Sequence, residues 1–189
     1  LILLGLLIGG RAGFHLRISQ MKPDREMIRR ILRIGVPGGI DMMLVAICQL
    51  VFLRVILGLG DVSAAAHGLA IQIEALAYMP GGAFQITAAT LAGQYLGARD
   101  YYRATRSVLL ACIAASILMV GAGVIYYFLA EPLTEIFVKG PKQAVVVPLA
   151  AEILRLLAFA MLPLAIMMVL VGALRGAGDT RWPLIFTFI

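Results

Sequence analysis

Four long apolar runs, at residues 34–57, 62–96, 104–130 and 148–174, dominate the chain, and most of its charge lies in the breaks between them. Each run exceeds the roughly 20 residues that a helix needs to cross a bilayer. Backbone facing lipid must satisfy its own hydrogen bonds, so such runs form either helices or closed barrels. Barrel strands alternate polar and apolar residues, and these runs do not. Of 189 residues, 62% are hydrophobic and 14% charged, against about 25% charged in a soluble domain. A water-soluble globule is thereby excluded. The expected fold class is all-α integral membrane, a polytopic helical bundle.

Both ends read as interrupted spans. Residues 1–10 are apolar but cover about half a bilayer at about 1.5 Å per residue. Their first charge, Arg11, follows the apolar run, the reverse of a signal peptide. A further apolar run begins at Trp182 and reaches Ile189. The chain is therefore expected to be a piece of a longer protein.

The basic residues set an orientation. Seven lie at 11–33 (Arg11, Arg17, Lys22, Arg25, Arg29, Arg30, Arg33), three at Arg99, Arg103 and Arg106, and two at Arg175 and Arg181. The opposite side holds Lys139 and Lys142, with Arg54 and Arg155 near enough to helix ends to snorkel. By the positive-inside rule the twelve face the cytoplasm. The net charge of +6 flanks spans and forms no aromatic-interleaved patch, so nucleic acid is not an expected partner; membrane lipid is.

Within residues 11–33, Pro23 suits a first helical turn, Asp24 and Glu26 sit at the positive dipole end, and Met27, Ile28, Ile31 and Leu32 share a face. This segment is either a surface helix against anionic lipid or a basic loop that sets topology. Cys48 and Cys112 lie in apolar runs and, with only His15 and His67 besides, show no metal-ligand spacing. No metal and no cofactor are expected.

Ionisable and amide side chains at bilayer depth are the sharpest chemical signal, because they are costly there and turn toward a bundle interior or a water path. Asp41, Gln49, Gln72, Glu74 and Gln85 qualify. His67, Glu74, Tyr78 and Gln85 are separated by 7, 4 and 7 residues, spacings that return to one helical face. Glu74 either meets a proton or cationic substrate in a cavity or makes an interhelical hydrogen bond. Asp41, a few residues from the cytoplasmic end, is expected to cap a first turn or reach interfacial water. Gln49 serves either a ligand or a neighbouring helix. Pro80, Gly81 and Gly82 interrupt the second run, which spans about 52 Å as a helix; they form a kink that is either a hinge or static. No nucleophile, base and oxyanion set converges, so no enzyme activity is expected.

The loop sequences are more specific. The runs GQYLGARDYYRA at 93–104, ALRGAGDTRWP at 173–183 and RIGVP at 33–37 together resemble the multidrug and toxic compound extrusion (MATE) family. Gly35 and Pro37 carry the entry motif. Gly93, Gln94, Gly97 and Ala98 match the signature after the second helix of a lobe, and Leu174, Arg175, Gly176, Gly178, Asp179 and Thr180 match the LRG-x-GDT signature after the fourth. The resemblance implies two six-helix lobes around a central cavity. Residues 1–10 would end helix six, residues 11–33 would link the lobes, and residues 34–189 would form helices seven to ten and the start of eleven. The missing partner is then the N-terminal lobe of the same chain.

The resemblance also implies export of small organic, often cationic, compounds by antiport with protons or sodium ions, in a multi-pass protein of the inner or plasma membrane. Some members carry acidic residues in helices seven and ten as a coupling site; Val45 and Leu164 stand near those positions here. Coupling would then rest on Glu74 or on the missing lobe. Two other readings are a lipid-linked oligosaccharide flippase, which calls for several cations in its cavity, and a non-transporting scaffold or receptor, which needs no accessible polar stripe. The motif residues themselves read as structural: Gly97 ends a helix, Asp179 or Thr180 caps the next, and Pro183 suits its first turn.

Overall fold

Helix α1, Arg25–Gly58, starts where Asp24 turns back on the chain: its Oδ1 accepts a hydrogen bond from the Glu26 amide at 2.9 Å. That satisfies one of the amides left over at a helix start, as an N-cap does. The computed structural model describes residues 24–138, 145–180, 182, 183 and 185, so the expected span end at 1–10, the first part of the linker, and Lys139, Lys142 and Arg181 lie outside the described residues. The other helices are α2 (Asp61–Gly97), α3 (Tyr101–Phe128), α4 (Ala130–Phe137) and α5 (Val146–Gly176). No strand occurs among the described residues.

Two boundaries and the hydropathy of α2 differ from the sequence reading. The linker helix does not stop at Arg33 but continues through Pro37 as part of α1. Proline removes one amide, so the Arg33 carbonyl loses its helical partner while the helix goes on. Residues 130–137, placed in a loop by their charges, form the short helix α4, which follows α3 after a break at Leu129. Finally, among the described residues α1, α3 and α5 are the helices both long and apolar enough to cross a membrane. The 37-residue α2 has the length, but its polar side chains and many glycines and alanines lower its apolarity. Helix α2 packs one face against α3, α4 and α5, while Leu76, Met79 and Ile86 on the rest of it are exposed.

The chain divides into two compact units, Leu1–Val36 and Pro37–Ile189. In the second, α2 and α5 run parallel, with Ala66 near Val146 and Ala150 at one end and Ala89 meeting Gly176 at the other. Helix α3 runs opposite to them, its Tyr126 hydroxyl donating to the Ile73 carbonyl of α2 at 2.8 Å. Ile73, Met119, Leu154, Met161 and Val169 are fully buried among Ala70, Ala77, Ala88, Ala115 and Ala165. Small residues at these contacts bring backbones close, which matters because lipid supplies no hydrophobic drive between helices.

The loops behind the family motifs are helix caps. At the end of α2, Asp100 N–H donates to Tyr95 at 2.9 Å and Arg99 N–H to Leu96 at 3.0 Å, the paired bonds of a Schellman motif. Gly97 is the last helical residue, but the left-handed position is taken by Arg99 at φ 59°. Asp100 then caps α3 by accepting from the Arg103 amide at 3.0 Å. The same pair of bonds closes α5, from Gly178 to Arg175 and from Asp179 to Leu174, with Gly178 at φ +81°. Trp182 and Pro183 are helical.

Candidate functional site

The buried face of α2 is a stripe of Ala66, Ala70, Ile73, Ala77, Gly81, Ala88 and Ala92. At about 100° per residue, His67, Glu74, Tyr78 and Gln85 fall together along one edge of that stripe. His67, Glu74 and Gln85 are half-buried and Tyr78 is 50% exposed. A polar edge beside an apolar seam is where a side chain is partly desolvated yet reachable. Among the described residues no donor reaches the Glu74 carboxylate, so the interhelical hydrogen bond left open by the sequence is not made there. The His67 ring meets Phe52 of α1 edge-on, with centroids 5.3 Å apart and planes at 72°. Two aromatic rings thus stand two turns of α2 from Glu74.

Toward the other end of α2 the polar edge is covered. Gly172 and Gly176 on α5 lie four residues apart and press against the α2 backbone, so that a Cβ on Gly172 would overlap the Gln85 carbonyl and one on Gly176 the Ala89 carbonyl. A Cβ on Gly93 would in turn come within 2.9 Å of the Gly176 carbonyl oxygen. This is small-xxx-small packing. It brings one glycine from each loop motif into contact, and Gln85 belongs to this packed end rather than to the open one.

Asp41 is placed otherwise than the sequence suggested. Because α1 begins at Arg25, Asp41 lies several turns inside the helix and cannot cap its first turn. Its side chain is 3% exposed and pairs with Arg175, itself 29% exposed, at 2.6 Å between Oδ2 and Nη2. The arginine of the LRG motif therefore holds α1 against the end of α5, beside the glycine contact. Gln49 is exposed on α1 and joins none of these groups.

Around Pro80 the helix is continuous, and the proline leaves the Leu76 carbonyl without its helical amide. Gly81 faces sulfur: a Cβ there would come within 2.9 Å of Met119 Sδ and 3.2 Å of Met168 Sδ. Thioether side chains repack readily, so this contact is softer than a backbone one. Gly82 has open space beside it. Val45 is exposed and Leu164 half-buried, and no group of three metal-ligating side chains forms among the described residues.

Sequence reasoning missed several contacts. Arg155, expected only to snorkel, pairs with Glu131 of α4 at 2.9 Å. The Tyr126 hydroxyl bond, the edge-on contact of Phe52 with His67, and the Asp41 and Arg175 pair join residues on different helices. Gly172 alone had a local signal, its spacing of four from Gly176.

Comparison with known proteins matches residues 37–189 to the MatE family profile. A probable multidrug resistance protein NorM of Thermotoga maritima is 31% identical over 187 residues, covering 99% of this chain and 40% of the relative. Another of the same name from Agrobacterium fabrum is 28% identical over 180 residues, 93% of this chain and 38% of the relative. A multidrug resistance protein MdtK of Pectobacterium atrosepticum is 23% identical over 193 residues, 100% of this chain and 42% of the relative. The chain thus spans about two fifths of the length of these curated relatives.

Proposed function

The chain belongs to the MatE family, and from that membership we propose that it forms the C-terminal lobe of a secondary transporter exporting small organic, often cationic, compounds from the cell. Helices α1, α2, α3 and α5 correspond to the seventh to tenth spans, and residues 11–33 join them to an N-terminal lobe on the cytoplasmic side. The relatives' names as multidrug resistance proteins support the substrate class. The single observation that carries the site is Glu74, a half-buried carboxylate with no protein donor among the described residues, on the polar edge between His67 and Tyr78.

One carboxylate can hold a proton or face a cation but does not do both at full strength, so loading one displaces the other. That competition is the minimal chemistry of antiport with protons or sodium ions. Alternating access requires the site to open to one side at a time. The packing supports this reading in one state, since Gly172 and Gly176 seal the Gln85 end while the Glu74 end stays reachable. Pro80, Gly81 and Gly82 between them act as the hinge, over a methionine contact able to repack.

A flippase for pyrophosphate-linked lipids finds less support, because Arg155 is already paired with Glu131 and Arg54 is exposed on α1. In the complete protein, Glu74→Gln at matched expression is expected to reduce export at least about tenfold, a loss of about 1.4 kcal/mol or more of coupling. Glu74→Asp should retain part of it. Unchanged export by Glu74→Gln across the pH range rejects the carboxylate as the coupling group. A scaffold or receptor is distinguished by a Glu74→Cys variant that no water-soluble thiol reagent reaches.

A further inference from the structure

The first turns of α1 carry two unlike arcs. At about 100° per residue, Arg25, Arg29 and Arg33 fall within about 80° of one another, and Met27, Ile28, Ile31 and Leu32 fill a separate arc of about 140° whose Leu32 edge adjoins Arg25. All seven side chains are exposed. Glu26, the acid on the basic side, sits in the first turn where the helix dipole favours it. Among the described residues no carboxylate pairs with the three arginines.

We propose that this segment binds the headgroups of anionic phospholipids, with the three guanidiniums on lipid phosphates and the four apolar side chains in the acyl boundary. Three observations select this occupant. Four large apolar side chains on one arc need a cover that water does not provide. Guanidinium forks match phosphate oxygens in paired hydrogen bonds, and each basic residue near an anionic leaflet adds to attraction. Arg33 also directly precedes the apolar run at 34–57, which keeps the segment beside the membrane, whereas a protein groove for the apolar arc would leave the arginines without partners.

The test uses the full chain reconstituted in phosphatidylcholine vesicles, with a fluorophore on Ile28→Cys after Cys48→Ala and Cys112→Ala. Spin-labelled phosphatidylglycerol should quench it at least about fivefold more than spin-labelled phosphatidylcholine at low salt. The difference should collapse in 1 M salt, where the Debye length is about 3 Å. R25Q/R29Q/R33Q should lower phosphatidylglycerol quenching to the phosphatidylcholine value, and R25K/R29K/R33K, which keeps the charge but not the fork, should keep part of it. Equal quenching by the two lipids, no quenching by either, or a preference that survives the glutamine triple variant overturns the proposal.

Discussion

Replacing Arg175 by Gln removes a charged partner from the Asp41 carboxylate, whose side chain is 3% exposed. Removing one partner of a buried ion pair costs up to about 3–5 kcal/mol, because a charge out of water loses compensation. Asp41→Asn is milder: the guanidinium left behind is 29% exposed and rehydrates, so the loss approaches that of a charged hydrogen bond, about 1.5–3 kcal/mol. The two changes should therefore be unequal, with Arg175→Gln the worse. With Arg175 gone, Asp41→Asn removes the buried charge that carries the cost, so D41N/R175Q should resemble the milder single variant. That implies a coupling of about 3 kcal/mol or more, at the top of the range for residues in contact. Equilibrium unfolding in mixed micelles, followed by circular dichroism, measures all four corners of the cycle. Additivity within about 0.5 kcal/mol, or equal single losses, would refute the view that this pair clamps α1 onto the end of α5.

The glycine contact makes a sharper contrast within two helices: Gly176→Val drives a side chain into the Ala89 backbone and should lower stability by about 1–3 kcal/mol in the same assay. Gly82→Ala meets open space and should be neutral or stabilising by up to about 1 kcal/mol. Tyr126→Phe removes the hydroxyl bond to Ile73 and is expected to cost about 1 kcal/mol, read as a shifted unfolding midpoint. For orientation, Ala98→Cys should react with a membrane-impermeant thiol reagent only after the cytoplasmic side is opened, and Leu59→Cys from outside; the reverse pattern contradicts the topology. In the complete protein, Pro80→Ala should shift the balance of inward and outward accessibility, which single-cysteine labelling near Tyr78 reports; an unchanged balance leaves the kink static.

Periodicity and hydropathy act over a few residues, and what depends on them was legible without coordinates. The apolar runs had to become helices because lipid offers the backbone no other donors. The spacing of His67, Glu74 and Tyr78 put them on one side of α2 for the same local reason. The caps were half legible: Gly178 takes the left-handed position its type suits, but Arg99 takes the corresponding place after α2, where the two Schellman bonds hold a residue with a side chain in that conformation. Helix α4 was hidden because its charges resemble a loop while its turn is completed by Thr134, buried and bonded to Ala130 and Glu131 carbonyls at 3.0 and 2.8 Å.

What the tertiary structure alone decided is which polar groups find partners. Asp41 and Glu74 are both acids inside apolar runs, and nothing local tells them apart. The reach of the Arg175 side chain from the end of α5 supplies a partner to one of them from 134 residues away, and no donor is delivered to the other among the described residues. Gln85 shares a helical edge with Glu74, yet the glycines of α5 cover one and not the other. Burial and pairing are properties of where helices cross, and the crossing is set by which small residues allow two backbones to touch.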